Sequence, residues 1–424
     1  MKIILVLLTL FLSLNAVAQN LEYARAIVDT LASDGMKGRG YVGDGDKIAA
    51  NFISNEFEKI GLIPYSKNYL QKFSTPVNTF PGSMSLKLNG EELTPGKDYL
   101  IDPGSPSMKG SFETVSLTAE DLLDEGQLIY KLKDAFGKFL VIEPFQKEEF
   151  STDELKEIND LVNFLKFHED NPALGTIVLS KDKLTWSGAT AQLDNPAITV
   201  KVDSLFKPVE KVELNIEAKF YGNYKTQNVL GYLEGKSNDS LIVLVAHYDH
   251  LGMMGEEAIF PGANDNASGI AMLLSLAKYY KANQPNYTTV FIAFGGEELG
   301  LLGSRYFTEN PAFPLKKIKF LVNFDISGTG DDGIQVVNGS VYKEKFDRLK
   351  EINQTENLLQ QVKIRGEACN SDHCMFHLKG VPSFFIYTLG GIQAYHDVYD
   401  RAETLPLTEF EDYFTLMTRF IDGL

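Results

Sequence analysis

The chain is poor in cysteine and in positive charge, and each scarcity excludes something. Cys369 and Cys374 are its only cysteines, and two cannot frame a fold of 424 residues, so a disulfide scaffold is ruled out. They can pair across a short loop or remain free thiols, and the residues leave both readings open. Lys and Arg number 40 against 57 Asp and Glu, a formal net charge of −17. Such a field repels phosphate, so neither nucleic acid nor an acidic membrane surface is an expected partner. Beyond the first residues no apolar run reaches the roughly 20 residues that a membrane span needs. What remains is a chain with 44% hydrophobic and 11% aromatic residues, enough for a large core and for two or three domains.

The opening MKIILVLLTLFLSLNAVAQN reads as an export signal. Lys2 supplies the positive end, Ile3 to Leu14 the apolar stretch, and Ala16-Val17-Ala18 the small-residue cleavage site. No cysteine follows it to carry a lipid. Residues 1–18 are therefore expected to be a signal peptide, and the rest an exported protein, periplasmic or secreted, with no membrane span once the signal is removed.

Helix-period apolar positions over 21–32 and 47–60 flank the glycine-rich loop SDGMKGRGYVGDGD. From about 81 to 205 the texture changes to short strand-like runs (MSLKL, KFLVIEP, GTIVLS, AITVKV) with one acidic helix from Thr152 to Asn163. From Thr226 onward strands and helices alternate, and the run from Leu241 is apolar throughout, as a strand covered on both faces must be. The expected fold class is α/β: a mixed, mostly parallel central sheet flanked by helices, with a small β-rich inserted domain. The expected boundaries are 19–80 for an N-terminal segment of the main domain, 81–205 for the insert and 206–424 for the rest.

In such sheets ligands gather at the carboxyl ends of strands. There the sequence places His247-Tyr248-Asp249, then Asn264-Asp265-Asn266 at a helix start, Glu297-Glu298, Asn323-Phe324-Asp325 and, near the end, Tyr395-His396-Asp397. Singly, each has a bland reading, such as a helix cap for Asp265 or a dipole-complementing first turn for the paired Glu. Together they are a nitrogen and oxygen donor set suited to zinc or a similar borderline cation. More carboxylates are present than one ion needs, which suggests two ions sharing a bridging carboxylate. Asp249 could accept the second ring N–H of His247 and fix its tautomer. Adjacent Glu297 and Glu298 cannot easily grip one ion from the same side, so one ligand and one free general base is the economical division.

The runs HYDHLG, PGANDNASG, FGGEELGLLGS, NFD, SDHCMF and AYHDVYD resemble, in order and spacing, the co-catalytic di-zinc exopeptidases, which include bacterial leucyl aminopeptidases and glutamate carboxypeptidases. The likeness covers Thr226 to the end, and LASDGMKGRGYVGDGDKIAANFISNEFEKIGL is similar to the family's N-terminal segment. GKFLVIEP, GTIVLS and NPAITVKV look like the protease-associated insert of that family. The resemblance implies two zinc ions, other divalent cations being possible, with Asp265 bridging. It adds Glu298 and His396 on one ion and His247 and Asp325 on the other. It also implies Glu297 as the general base, acting on water held between the ions, Asp249 as an orienting partner, and a cis peptide at Asp265–Asn266.

An aminopeptidase acting on peptides or small aminoacyl substrates is the leading expectation, with no oligomeric state implied. Alternatives are a carboxypeptidase or glutaminyl cyclase on the same fold, or a metal-free receptor-like binding module. Relatives often place a Tyr or Arg near the Ser-Asp-His turn, where this chain has Ala368-Cys369-Asn370; Tyr387 or Tyr395 could substitute. His250 and His373 have no assigned role, while His168 and His377 read as surface and structural. Asn266 lies in a glycosylation sequon but is expected to stay bare inside the site.

Overall fold

The computed structural model describes residues 21–202 and 207–424. The expected signal peptide lies outside the described residues. Among those described, no helix is long and apolar enough to cross a membrane.

The central sheet has nine strands. Its middle is parallel: Ser237–His247 pairs with Tyr287–Phe294 on one side and Ile318–Phe324 on the other, and the latter pairs with Ser383–Thr388. Antiparallel neighbours flank this centre, Lys219–Leu233 beyond Tyr287–Phe294 and Ile334–Val337 beyond Ser383–Thr388. The apolar run in the first of these strands explains the layering. Ile242, Leu244 and Ala246 face a core shared with helices 21–31, Gly45–Ile60, Gly269–Ala282 and Phe410–Asp422. Leu241, Val243 and Val245 alternate onto the opposite face, where Phe307 and Phe376 arrive on helices Leu302–Glu309 and His373–His377. A period of two on a sheet covered on both sides requires apolar residues at every position. Helix Gly269–Ala282 is correspondingly apolar nearly all round, with Ile270 to Ala277 buried.

A second sheet of eight strands interrupts this one. The chain leaves along Leu70–Thr79 and returns along Lys219–Leu233, and the two pair antiparallel with Thr79 opposite Lys219, so both ends of the interruption lie side by side. Met108–Leu117, Phe139–Ile142, Gly175–Ser180 and Ala197–Lys201 run parallel. Helices Ala119–Leu123 and Thr152–Phe167, each opened by a reciprocal capping box (Thr118 with Asp121, Ser151 with Glu154), cover one face. The other face packs on the main unit: Phe139, Val141 and Ile177 share a core with Leu251, Met254, Phe260 and Val398.

Two details differ from the sequence reading. The second sheet continues past 205, because Lys211–Ile216 pairs with both Met84–Leu88 and Met108–Leu117. The glycine-rich loop is organised as short 3-10 turns, Asp34–Arg39 and Val42–Asp44.

Candidate metal centre

The five expected donors converge at the carboxyl ends of the parallel strands. His247 is the last residue of Ser237–His247, Asp325 follows Ile318–Phe324, and Glu297-Glu298 follow Tyr287–Phe294. Asp265 sits in a π-type turn, Ala263–Ser268, that opens helix Gly269–Ala282, and the Asp265–Asn266 peptide is cis. The two oxygens of Asp265 face different ways. Oδ1 lies 3.3 Å from His247 Nε2, which is 3.4 Å from Asp325 Oδ1. Oδ2 lies 3.1 Å from His396 Nε2, which is 3.2 Å from Glu298 Oε2. Tetrahedral coordination with bonds of about 2.0–2.1 Å separates neighbouring donor atoms by roughly 3.3 Å. The spacing on both sides of Asp265 fits a small tetrahedral cation.

Both rings are oriented by main-chain carbonyls. His247 Nδ1 donates to Asp249 O at 3.2 Å, and His396 Nδ1 to Trp186 O at 3.0 Å, which turns each Nε2 toward the carboxylates. The Asp249 carboxylate does not have the expected partner: its Oδ1 is 3.9 Å from His247 Nδ1. It accepts instead from the main-chain N–H groups of Glu297 at 3.1 Å and Glu298 at 3.4 Å, and from the Tyr41 hydroxyl. The strand end turns so that the carbonyl of Asp249 meets the ring and its side chain meets the neighbouring turn.

Charge dominates this pocket. Burial disfavours a charged His396, but Glu298 and Asp265 outweigh it and push the ring up to about 11. His247 rises well above the ordinary histidine range against burial of its own, driven by Glu297 and Asp325. Burial opposes ionisation of Asp265, yet hydrogen bonds from the two histidines hold it well below the usual carboxylate range, and Glu298 falls to about 2 for related reasons. Burial drives Glu297 the other way, well above that range, with Asp325 and Glu298 adding to it and His247 opposing. Two adjacent glutamates therefore differ: Glu298 accepts from two rings, and Glu297 is the proton-seeking one.

The sequence reading missed several supporting residues. His250 sits in the cluster, with Nδ1 2.7 Å from Glu298 Oε1, and its Nε2 has no hydrogen-bond partner among the described residues. Arg39 is fully buried and donates to the carbonyls of Leu31, Tyr248, Pro261, Gly262 and Asp265. Asp400 accepts from the main-chain N–H of Asn264 and Asp265. Ser371 donates to Asp325 Oδ2 at 2.7 Å and accepts from Asn323. The GRG run and the aspartate shortly after His396 were visible signals, but nothing local says that they converge on one loop.

The remaining expectations sort plainly. Cys369 and Cys374 form a disulfide. Tyr395 stacks on His396, with ring centroids 4.0 Å apart, whereas the Tyr387 hydroxyl accepts from Arg365. His377 meets Tyr342 and Glu367, a structural role. Asn266 is fully buried, its amide joining Phe324 O to Gly269 N and Ile326 N, so it is closed to glycosylation.

The loops at the carboxyl ends of the mixed sheet thus gather two imidazoles and several carboxylates around Asp265, a donor set that could hold divalent cations. Residues 228–421 match peptidase family M28. Aminopeptidase YwaD of Bacillus subtilis is 28% identical over 193 residues, 44% of this chain and 41% of that protein. A probable zinc metalloprotease of Pyricularia oryzae is 39% identical over 114 residues, 26% of this chain and 23% of that one. The chain thus spans less than half the length of these curated relatives. Solved structures share the fold along nearly the whole chain. A zinc aminopeptidase from Bacillus subtilis gives a TM-score of 0.70 at 19% identity, over 95% of this chain and 94% of that one. A peptidase M28 precursor from Shewanella amazonensis gives 0.67 at 16% identity, over 97% and 95%.

Proposed function

We propose that this protein is an exported zinc-dependent aminopeptidase that removes residues from the free amino end of peptides. The observation that carries the reading is the division of Asp265, one oxygen toward His247 and Asp325 and the other toward His396 and Glu298. Those two sets would hold two zinc ions, with Asp265 shared between them. Nitrogen and carboxylate donors at tetrahedral spacing, with no thiolate among them, suit zinc in a catalytic site. Bound there, the ions would acidify water and polarise the scissile carbonyl.

The chain's own groups do the rest. Glu297 lies beside His247 and Glu298 but outside both bridging pairs, and it has the affinity for a proton that a general base needs. It would take the proton from the attacking water and return it to the leaving amine nitrogen. Asp249 would hold the Glu297–Glu298 turn through its main-chain N–H groups. The names of the matched relatives, an aminopeptidase and a zinc metalloprotease, support the same chemistry. The signal-like residues 1–18 support export, and the segment 81–205, extended by Lys211–Ile216, would be an accessory domain inserted into a catalytic one.

The test is a panel of aminoacyl anilides, free peptides and amino-blocked peptides, run with chelator and again after zinc is restored, with metal content measured alongside. Release of amino-terminal residues, lost on chelation and regained with zinc at two equivalents per chain, is the expected result. Cleavage of amino-blocked peptides from the carboxyl end, cyclisation of amino-terminal glutamine, or a chain that binds no zinc would overturn it.

A further inference from the structure

The loop that carries His396 is held from outside the main unit. His396 has φ 53°, in the left-handed region that non-glycine residues avoid, so something must fix its backbone. Two residues of the inserted unit do so. The main chain of Trp186 pairs with His396 in both directions: its N–H donates to His396 O at 2.9 Å, and its carbonyl receives the ring Nδ1–H at 3.0 Å. Lys183 spends all three ammonium hydrogens on the same loop, bonding Gln393 O at 2.7 Å, Tyr395 O at 3.1 Å and the Asp397 carboxylate at 2.7 Å. Asp397 in turn accepts from Tyr399 N. Trp186 is itself anchored, its indole N–H bonding Ile101 O at 2.7 Å and its ring stacked on Phe260.

From these contacts we infer that the segment 183–188 of the inserted unit is a clasp whose role is to position His396 for metal binding. The insert then contributes to the chemistry of the site without supplying a ligand. This rests on the zinc reading above. The carbonyl of Trp186 occupies Nδ1–H, so Nε2, which faces Asp265 and Glu298, is the nitrogen left to bind an ion, and Lys183 keeps the loop from swinging away. The His247 side has no such dependence, because its ring is held by the carbonyl two residues along its own strand end. Loss of the clasp should therefore weaken one cation of the pair and spare the other.

The experiment is a zinc titration of the metal-stripped full-length protein against a chromophoric chelator, for wild type, Lys183→Met and Trp186→Phe, with thermal melts of each metal-free protein. Lys183 is half-exposed, so its variant should fold normally. The expected result is one equivalent weakened 10- to 100-fold, the usual range for loss of a group that orients a ligand, with the other unchanged and the metal-free melt of Lys183→Met unmoved. If both variants bind two equivalents as wild type does, the clasp is refuted. Equal weakening of both equivalents with a lowered melt also refutes it, as general destabilisation. A wild type that binds fewer than two equivalents refutes the two-zinc reading instead.

Discussion

The carboxylate of Asp249 accepts the main-chain N–H of Glu297 at 3.1 Å and stands 3.9 Å from the His247 ring it was expected to orient. Its work is on the glutamate turn. Asp249→Asn keeps one acceptor and loses the charge and the second, so the Glu297–Glu298 pair should shift. A fall of 10- to 100-fold in kcat is expected, with zinc on the His247 side retained. If the zinc held through His247 is the one lost, the ring was the true partner.

Glu297→Gln preserves shape and removes the base. Activity should drop by about 10²–10⁴-fold, the contribution of a positioned proton acceptor, while zinc content stays at wild-type level. Turnover at the normal rate would assign the base elsewhere.

Arg39 is fully buried against the Asp265 loop and donates to five carbonyls. Arg39→Met strands those acceptors in a dry interior, each costing about 1–3 kcal/mol when left unpaired. A loss of more than about 3 kcal/mol is expected, visible as an early urea midpoint. A midpoint within error of wild type would show that water replaces the guanidinium.

Asp46 lies far along the chain from the metal donors and titrates in the folded state. Burial raises it to about 6, although the Tyr224 and Thr226 hydroxyls donate to it. The unfolded chain releases that proton near pH 4 while the folded one keeps it, so the group weakens the fold progressively between pH 4 and 6 and by a constant amount above. Asp46→Asn should gain on wild type by about 3 kcal/mol as pH rises from 4 to 7. Urea melts giving a pH-independent difference between the two would contradict the shift.

Chelation should cost stability as well as activity. Asp249, Asp265, Glu297, Glu298 and Asp325 crowd one pocket, and cations bound only by the folded state add about 4 kcal/mol at a thousand times their dissociation constant. A melting temperature indifferent to chelator would place the donors in a site that holds no metal.

Much of this arrangement was legible. The run Leu241–Ala246, apolar at every position, reads as a covered central strand, and the donors stand where such strands end. His250 and Asp400 were not legible, because adjacency in sequence did not reveal their direction. The membership of Lys211–Ile216 in the second sheet is not legible, because a short alternating strand looks the same whichever sheet it joins.

The sequence by itself determined the layers, the order of the strands along the chain and the set of groups available for chemistry, since burial periodicity and residue type are local properties. The tertiary structure alone decided which oxygen of Asp265 faces which histidine, that Asp249 serves Glu297, and that Trp186 holds His396 from another unit. Those pairings depend on the angle at which distant segments meet, and that angle is fixed only when the whole core packs.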